Sequence, residues 1–157
     1  MNQQEIWGLK PLGVSVFVVR QDTHEYLLIR RCSKHLYGNW QMVSGTSEQN
    51  EKAIDTAIRE MHEETGLTPK SLYTGDFVEM FYESRRDMIL FIPVFIAFVT
   101  GLDTVTLSPS EHDAYQWVGY TQAREILEFE NQKICLDKIE RDFVKKAPSD
   151  RFLLKTF

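Results

Sequence analysis

The stretch "GTSEQNEKAIDTAIREMHEETGL", residues 45–67, predicts a helix that packs against a sheet. Its apolar residues recur at the spacing of one helical face, which indicates a helix over residues 51–65. We expect Asn50 to cap the start of this helix and Gly66 to end it. The apolar face comprises Ala53, Ile54, Ala57, Ile58 and Met61.

Three carboxylates crowd the end of the same helix. Glu60, Glu63 and Glu64 fall within roughly 100° of arc, at the rim of the apolar face. Two such charges about 4 Å apart repel by roughly 4 kcal/mol near a protein surface, and the helix dipole disfavours anions at this end. A divalent cation would reverse both effects, and carboxylate ligands suit Mg²⁺ or Mn²⁺. The alternative is an acidic coat on an exposed helix face.

The flanking sequence predicts strands on both sides of this helix. Short apolar or alternating runs indicate strands at 13–19, 25–31, 41–44, 77–82, 88–99, 104–108 and 114–120. Two helices are expected in the tail, at 121–129 and 131–146. This pattern predicts an α+β fold, an α/β/α sandwich around a mixed sheet, with residues 1–157 forming a single domain.

Composition narrows the function classes. The net charge of −5 gives no general attraction to polymeric nucleic acid or to anionic membranes. Cys32 and Cys135 lie far apart and form no metal-binding or disulfide pattern, which fits a cytoplasmic protein. The longest apolar run, of about twelve residues at 88–99, is too short to span a bilayer. We expect a cytoplasmic monomer or homodimer.

The helix and the loop before it resemble the Nudix box. That motif reads glycine, five residues, glutamate, seven residues, then arginine-glutamate-apolar-x-glutamate-glutamate-x-glycine-apolar. Each specified position is met by Gly45, Glu51, Arg59, Glu60, Met61, Glu63, Glu64, Gly66 and Leu67. Two departures from frequent family choices lie nearby, since Ser44 replaces a glycine and Gln49-Asn50 replaces a proline-glycine pair. The resemblance implies the Nudix fold.

The resemblance also implies a chemistry, the Mg²⁺-dependent hydrolysis of a nucleoside diphosphate linked to another group. By motif match Glu60 and Glu64 are the main metal ligands and Glu63 is a further ligand, and Glu63 and Glu64 also have catalytic roles. Arg59 orients these glutamates with help from Glu51. The backbone carbonyl of Ser44 completes the coordination, and Ser44 and Gly45 contact the substrate.

Residues outside the box supply further candidates. Glu111, in a polar loop before a strand, is expected to be a metal ligand or the base for water, as in similar enzymes; the alternative is a solvent-exposed glutamate. Arg31 is a candidate for phosphate binding or a surface arginine. His112 is expected to be structural or exposed rather than an acid or base. Lys10 and Asn131 are weaker candidates for substrate contact.

Two further arginines and three aromatic residues each have two possible interpretations. Arg85 and Arg86 are expected to face solvent rather than substrate. Trp40, Phe81 and Tyr82 could stack on a base, but aromatic residues in strands usually belong to the core.

Two segments suggest a branch of the family. "NWQMVSGTSEQNE" at 39–51 and "SEHDAYQWV" at 110–118 look like the dATP pyrophosphohydrolase or dihydroneopterin triphosphate pyrophosphatase branch. The implied reaction cleaves a (d)NTP or pterin triphosphate to a monophosphate and pyrophosphate. Alternatives are hydrolysis of ADP-sugars or dinucleoside polyphosphates, a Nudix-fold module that binds nucleotides without hydrolysis, and a structural domain with an acidic helix.

Overall fold

A computed structural model describes residues 8–157. Within this range the chain forms one eight-stranded sheet and three α-helices. The strands are β1 (Gly13–Arg20), β2 (Tyr26–Arg31), β3 (Trp40–Gln41), β4 (Val43–Thr46), β5 (Ser71–Glu83), β6 (Met88–Val99), β7 (His112–Val118) and β8 (Leu153–Thr156). The helices are α1 (Ala53–Thr65), α2 (Tyr120–Ile126) and α3 (Glu130–Ile139), and a π-helical turn at Glu140–Val144 continues α3.

The sheet is mixed. Its main path runs β3-β2-β1-β6-β5-β8, while β4 pairs with β1 and β7 pairs with β2. Strands β1 and β6 are parallel, and the other pairs are antiparallel. This arrangement brings β4, which leads into α1, and β7, which follows a long loop, to neighbouring positions around β1 and β2.

Each face of the sheet is covered by helix. Along β1, Val16 and Val18 belong to the core under α1, and Phe17 and Val19 belong to the core under α3. This alternation follows from the two-residue repeat of a strand, which sends successive side chains to opposite faces. Met61 anchors α1 against the first core. The predicted α/β/α sandwich is therefore confirmed.

The start of α1 differs from the prediction. The helix begins at Ala53 with Lys52 as its capping residue, so the expected cap at Asn50 is wrong. Asn50 instead adopts a left-handed conformation, with φ of 65°, which turns the loop before the helix. Gly66 ends the helix as predicted, with φ of 70° and its N–H donating to the carbonyl of His62.

Three other elements differ from the sequence-based assignment. Residues 104–108 form no strand; this segment runs along the end of α1, where Thr106 N–H donates to the carbonyl of Thr65. Strand β5 begins at Ser71, earlier than expected, because a bulge after Thr74 joins two pairing segments. The short strand β8 was not predicted. No helix among residues 8–157 has the length and apolarity needed to cross a membrane.

Candidate active site

Arg59 gathers the carboxylates of α1. Its Nε and Nη2 donate to the two carboxylate oxygens of Glu51, each at 2.9 Å. Its Nη1 donates to Glu60 Oε1 at 2.9 Å and to Glu63 Oε2 at 3.0 Å, and Nη2 also donates to the carbonyl of Thr46 at 3.0 Å. The guanidinium lowers the pKa of Glu51 to about 2. Arg59 therefore positions three glutamates against the loop before the helix.

Gly45 makes room for Glu60. A Cβ at position 45 would overlap the Glu60 side chain at its Cγ, Cδ and Oε1 atoms. The strand that contains Gly45 thus passes directly over the carboxyl group of Glu60, which is half-buried beneath it. Burial raises the pKa of Glu60, although the hydrogen bond from Arg59 opposes the shift.

Glu64 is the most deeply buried carboxyl of the box. It is only 2% exposed, and its Oε2 accepts a hydrogen bond from the backbone N–H of Ser44 at 3.2 Å. Burial, followed by repulsion from Glu60 and Glu111, raises the pKa of Glu64 to about 9. In the absence of a cation this carboxyl is therefore protonated at neutral pH, which is an unusual state for a glutamate.

Glu111 and His112 approach Glu64 from a different part of the chain. Pairing of β2 with β7, with a register shift between Arg30 and Arg31, sets His112 opposite Arg31. One ligand atom from each of Glu64, Glu111 and His112 lies within 4.8 Å of the others. Glu111 is exposed at this point, whereas His112 is 1% exposed. Of the two expected alternatives for His112, a structural or an exposed residue, the exposed one is wrong, because the ring is buried beside a carboxyl of the site.

His112 and Glu64 do not form an ion pair in the cation-free protein. His112 Nε2 lies 3.9 Å from Glu64 Oε1, but burial and the nearby Arg31 lower the pKa of the imidazole to about 4. Since the pKa of Glu64 is raised, both groups are neutral at pH 7. Both ring nitrogens of His112 are buried without a hydrogen-bond partner among residues 8–157. A neutral imidazole is the state that binds metal.

Most of these residues, though not His112 or Glu51, line one cavity of about 820 Å³. It contains most residues that the sequence nominated for the site, although Arg59 supports them from behind. The nominated residues in its wall are Arg31, Ser44, Gly45, Glu60, Glu63, Glu64, Glu111 and Asn131. Lys10 is exposed and lies outside the described wall, so its contact with substrate stays a prediction.

Arginines stand at two sides of the cavity. Arg31 is half-buried, and it donates to the carbonyl of His35 at 3.1 Å and to Ser33 Oγ at 2.9 Å. Arg85 and Arg86 are exposed and pair with Glu83. They also line the cavity, so the expectation that they face solvent rather than substrate holds only in part.

Two of the three aromatic residues that were expected in the core lie outside it. Phe81 and Tyr82 are exposed and line the cavity, so assigning them to the core was wrong. Trp40 does pack against the core. Among the cavity residues that sequence reasoning missed are Glu79 and Phe129. The signal for Glu79 was a lone acid within the apolar run "FVEMFY", and Phe129 had no such signal.

Comparison with known proteins identifies the family. A NUDIX domain model matches residues 9–138. The chain belongs to the NUDIX family. It is a Nudix hydrolase that acts on pyrophosphate bonds. Several curated relatives have names that describe such hydrolysis by those proteins. The asymmetrical bis(5′-nucleosyl)-tetraphosphatase of Rattus norvegicus is 30% identical over 139 residues, covering 83% of this chain and 92% of the relative.

Solved structures agree on the Nudix fold. The dihydroneopterin triphosphate pyrophosphohydrolase of E. coli superposes with a TM-score of 0.73, covers 88% of this chain and 97% of its own, and is 22% identical. A C. elegans Ap4A hydrolase superposes with a TM-score of 0.68, covers 82% of this chain and 96% of its own, and is also 22% identical. At this identity both likenesses concern the fold.

Proposed function

We propose that this Nudix hydrolase cleaves nucleoside polyphosphates with Mg²⁺, or Mn²⁺, held by Glu60, Glu63, Glu64, Glu111 and the backbone carbonyl of Ser44. The observation that carries the proposal is the convergence of Glu64 with Glu111 and His112, from separate elements, within 4.8 Å. The donor set fits such an ion, because carboxylate and carbonyl oxygens are the ligands that Mg²⁺ and Mn²⁺ prefer.

The electrostatics of the site also support a bound cation. The buried carboxyl of Glu64, whose pKa is about 9, holds a proton at neutral pH. A carboxylate that binds a metal must instead be ionised. A cation would take the place of that proton and offset the repulsion among Glu60, Glu64 and Glu111. When bound, such an ion neutralises phosphate oxygens and lowers the pKa of a coordinated water. A chain of net charge −5 needs this compensation to hold a polyphosphate.

The residues around the cavity have distinct parts in the proposed reaction. Glu111, exposed at the cavity wall and outside the Arg59 network, accepts the proton of the attacking water. Arg31 contacts substrate phosphate, for which a guanidinium is suited. Arg59 positions Glu60 and Glu63 without touching the substrate. Glu63 is the other candidate for the base, and Gly45 and Asn131 contribute to the binding wall.

We propose a (d)NTP or dihydroneopterin triphosphate as the substrate. Water oxygen attacks the α-phosphorus, the bond from that phosphorus to the α,β-bridging oxygen breaks, and the products are the monophosphate and pyrophosphate. Sequence features at 39–51 and 110–118 support this choice. The partner is then a small molecule, and a cytoplasmic location, a monomeric or homodimeric state, one domain over 1–157 and no binding to polymeric nucleic acid remain predictions.

A dinucleoside polyphosphate is the second candidate. It is favoured by the similarity to the rat tetraphosphatase, which extends over 92% of that protein. The two candidates differ in their products, because a dinucleoside tetraphosphate would give a nucleoside triphosphate and a monophosphate.

A substrate panel tests the proposal. The protein is incubated with Mg²⁺ and NTPs, dNTPs, dihydroneopterin triphosphate, ADP-ribose or diadenosine tetraphosphate, and the products are separated by anion exchange. We expect monophosphate and pyrophosphate from a triphosphate, with ¹⁸O from labelled water in the monophosphate. Glu64→Gln should slow turnover roughly 10²- to 10⁴-fold. Parental turnover in Glu64→Gln, or full activity in excess EDTA, would overturn the metal site.

A further inference from the structure

A second buried carboxyl lies in the cavity, apart from the Nudix box. Glu79 on β5 is 6% exposed, and by strand alternation it shares a face with Phe77, which packs against the core under α3. Its Oε2 accepts a hydrogen bond from Ser15 Oγ at 2.6 Å. Burial raises the pKa of Glu79, and the bond from Ser15 offsets only part of this shift. A carboxylate has about four lone-pair positions, so one donor leaves most of its capacity unused.

A polar row connects Glu79 with the proposed metal site. Ser15 and Ser44 are paired residues of β1 and β4, so their strands are about 4.8 Å apart at this point. The N–H of Ser44 donates to Glu64, and Gln41 Nε2 donates to Ser44 Oγ at 3.2 Å. Glu64, Ser44, Ser15 and Glu79 thus follow one another along the same wall. A ligand whose phosphates lie at Glu64 can reach Glu79 with its other end.

The start of α3 supplies another part of the cavity wall. Gln132 Oε1 is buried there without a hydrogen-bond partner among the described residues, and it lines the same cavity. Phe81 and Phe129 also line this cavity, although they are 38% and 42% exposed. The cavity therefore offers both acceptor oxygens and exposed aromatic rings. Such rings suit a planar heterocycle, since aromatic faces stack on base faces.

The acceptor oxygens of Glu79 determine which heterocyclic base the cavity can bind. A carboxylate binds two neighbouring N–H groups through its two oxygens, as it does with the fork of arginine. Guanine and pterins present a ring N–H directly beside an exocyclic amino group. Adenine and cytosine place an acceptor nitrogen beside the amino group, which would oppose an acceptor oxygen of Glu79.

We propose that Glu79 is a specificity-determining residue that selects bases with a ring N–H beside an exocyclic amino group, the edge shared by guanine and pterins. This inference rests on the proposed function for the position of the phosphates. Ser15 orients the carboxyl by donating to Oε2. The unpartnered Gln132 Oε1 accepts a further donor from the ligand.

The test compares GTP, ITP and ATP, which carry the same triphosphate. ITP keeps the ring N–H but lacks the amino group, and ATP has an amino group but an acceptor nitrogen in place of the ring N–H beside it. We expect kcat/KM to favour GTP over ITP and ATP by roughly 10- to 100-fold. In Glu79→Gln this preference should fall by about the same factor, because the amide places a donor where an acceptor is needed. The exposed Glu128 lies outside the cavity wall, and Glu128→Gln is the matched control with parental preference.

A binding measurement separates this inference from the proposed hydrolysis. GMP, IMP and AMP are titrated into the protein in EDTA and followed by calorimetry, which needs neither metal nor turnover. Tighter binding of GMP than AMP that Glu79→Gln abolishes supports the base site even if no nucleotide is hydrolysed. Hydrolysis of all three triphosphates without preference, or an unchanged preference in Glu79→Gln, overturns the base site and leaves the hydrolase function standing.

The variant is chosen to remain folded. A glutamine at position 79 has nearly the same shape and still offers an oxygen to Ser15 Oγ. Near-ultraviolet circular dichroism and thermal unfolding check this for Glu79→Gln and Glu128→Gln. Ser15→Ala provides a second probe, because it removes the hydroxyl that orients the carboxyl and should lower the GTP preference in the same direction. A parental preference in a folded Ser15→Ala protein contradicts the positioning part of the inference.

Discussion

The carboxyl group of Glu60 occupies the space into which a side chain on Gly45 would project. This contact couples the strand before the box helix to a proposed metal ligand. It also explains on steric grounds why the motif has a glycine at this position, because β4 can cross the Glu60 carboxyl only where the backbone has no Cβ.

Gly45→Ala should weaken metal binding more than folding. The overlapping atoms belong to a flexible side chain, so Glu60 swings away and the backbone is spared. We expect the Mg²⁺ concentration for half-maximal activity to rise at least about tenfold, since a misplaced ligand costs well over 1 kcal/mol. A magnesium titration of activity measures this effect. Gly8→Ala is the control, because a Cβ at Gly8 meets nothing within 4 Å. An unchanged titration in Gly45→Ala would show that Glu60 is not needed there.

Arg59→Lys should disturb the positions of the carboxylates and destabilise the protein, although it keeps the positive charge. A lysine cannot reproduce the fork that holds Glu51, Glu60 and Glu63 together. We expect the metal-free protein to lose about 2 kcal/mol of unfolding free energy, part of which Mg²⁺ restores. Urea unfolding with and without Mg²⁺ measures this loss. Arg124→Lys, which alters the exposed pair with Asp137, should cost much less, because exposed ion pairs contribute little to stability. Equal costs at both positions would contradict a special part for Arg59.

Glu111→Gln should lower turnover without matching loss of substrate binding. The amide keeps the size of the side chain but cannot accept the proton of water at neutral pH. We expect kcat to fall roughly 10²- to 10⁴-fold, with a much smaller change in KM. Steady-state kinetics on the preferred substrate check this, and Asp113→Asn, which loses only the exposed pair with Arg30, is the control. A parental kcat in Glu111→Gln would place the base elsewhere, with Glu63 as the next candidate.

The metal-free protein should lose stability as the pH rises. The pKa of Glu64 is about 9 in the folded state and near 4.5 in the unfolded chain. Between these values the folded protein holds a proton that the unfolded chain has released. The unfolding free energy therefore falls with rising pH, by at most about 1.4 kcal/mol per pH unit from this group. Below the unfolded pKa the contribution is complete, and it is lost as the pH passes through the folded pKa.

Urea unfolding in EDTA across this pH range tests the linkage. Glu64→Gln should flatten the decline, because glutamine does not titrate, and saturating Mg²⁺ should also flatten it in the parent by favouring the ionised carboxyl. If Glu64→Gln left the slope of unfolding free energy against pH unchanged, the proton responsible would belong to another group.

The box helix and its carboxylates were predictable from sequence because their relations are local. Helical spacing alone places Glu60, Glu63 and Glu64 near one another, and the motif adds Arg59 and Gly45. The end of α1 was equally readable, since Gly66 adopts the left-handed conformation that glycine favours. The start of α1 was not predictable, because Asn50 forms a turn in the preceding loop and Lys52 is the capping residue.

What surrounds that helix depends on contacts between distant segments. Pairing of β2 with β7, including its register shift, carries Glu111 and His112 to Glu64, and no local pattern encodes that register. Alternation along β5 tells which face Glu79 and Phe81 share, but only the placement of α3 decides that a cavity lies there. The sequence by itself determined the fold class and the acidic centre, since both follow from periodicity and spacing along the chain. Tertiary structure decided which side chains become the walls of the site, because burial depends on what packs opposite each face.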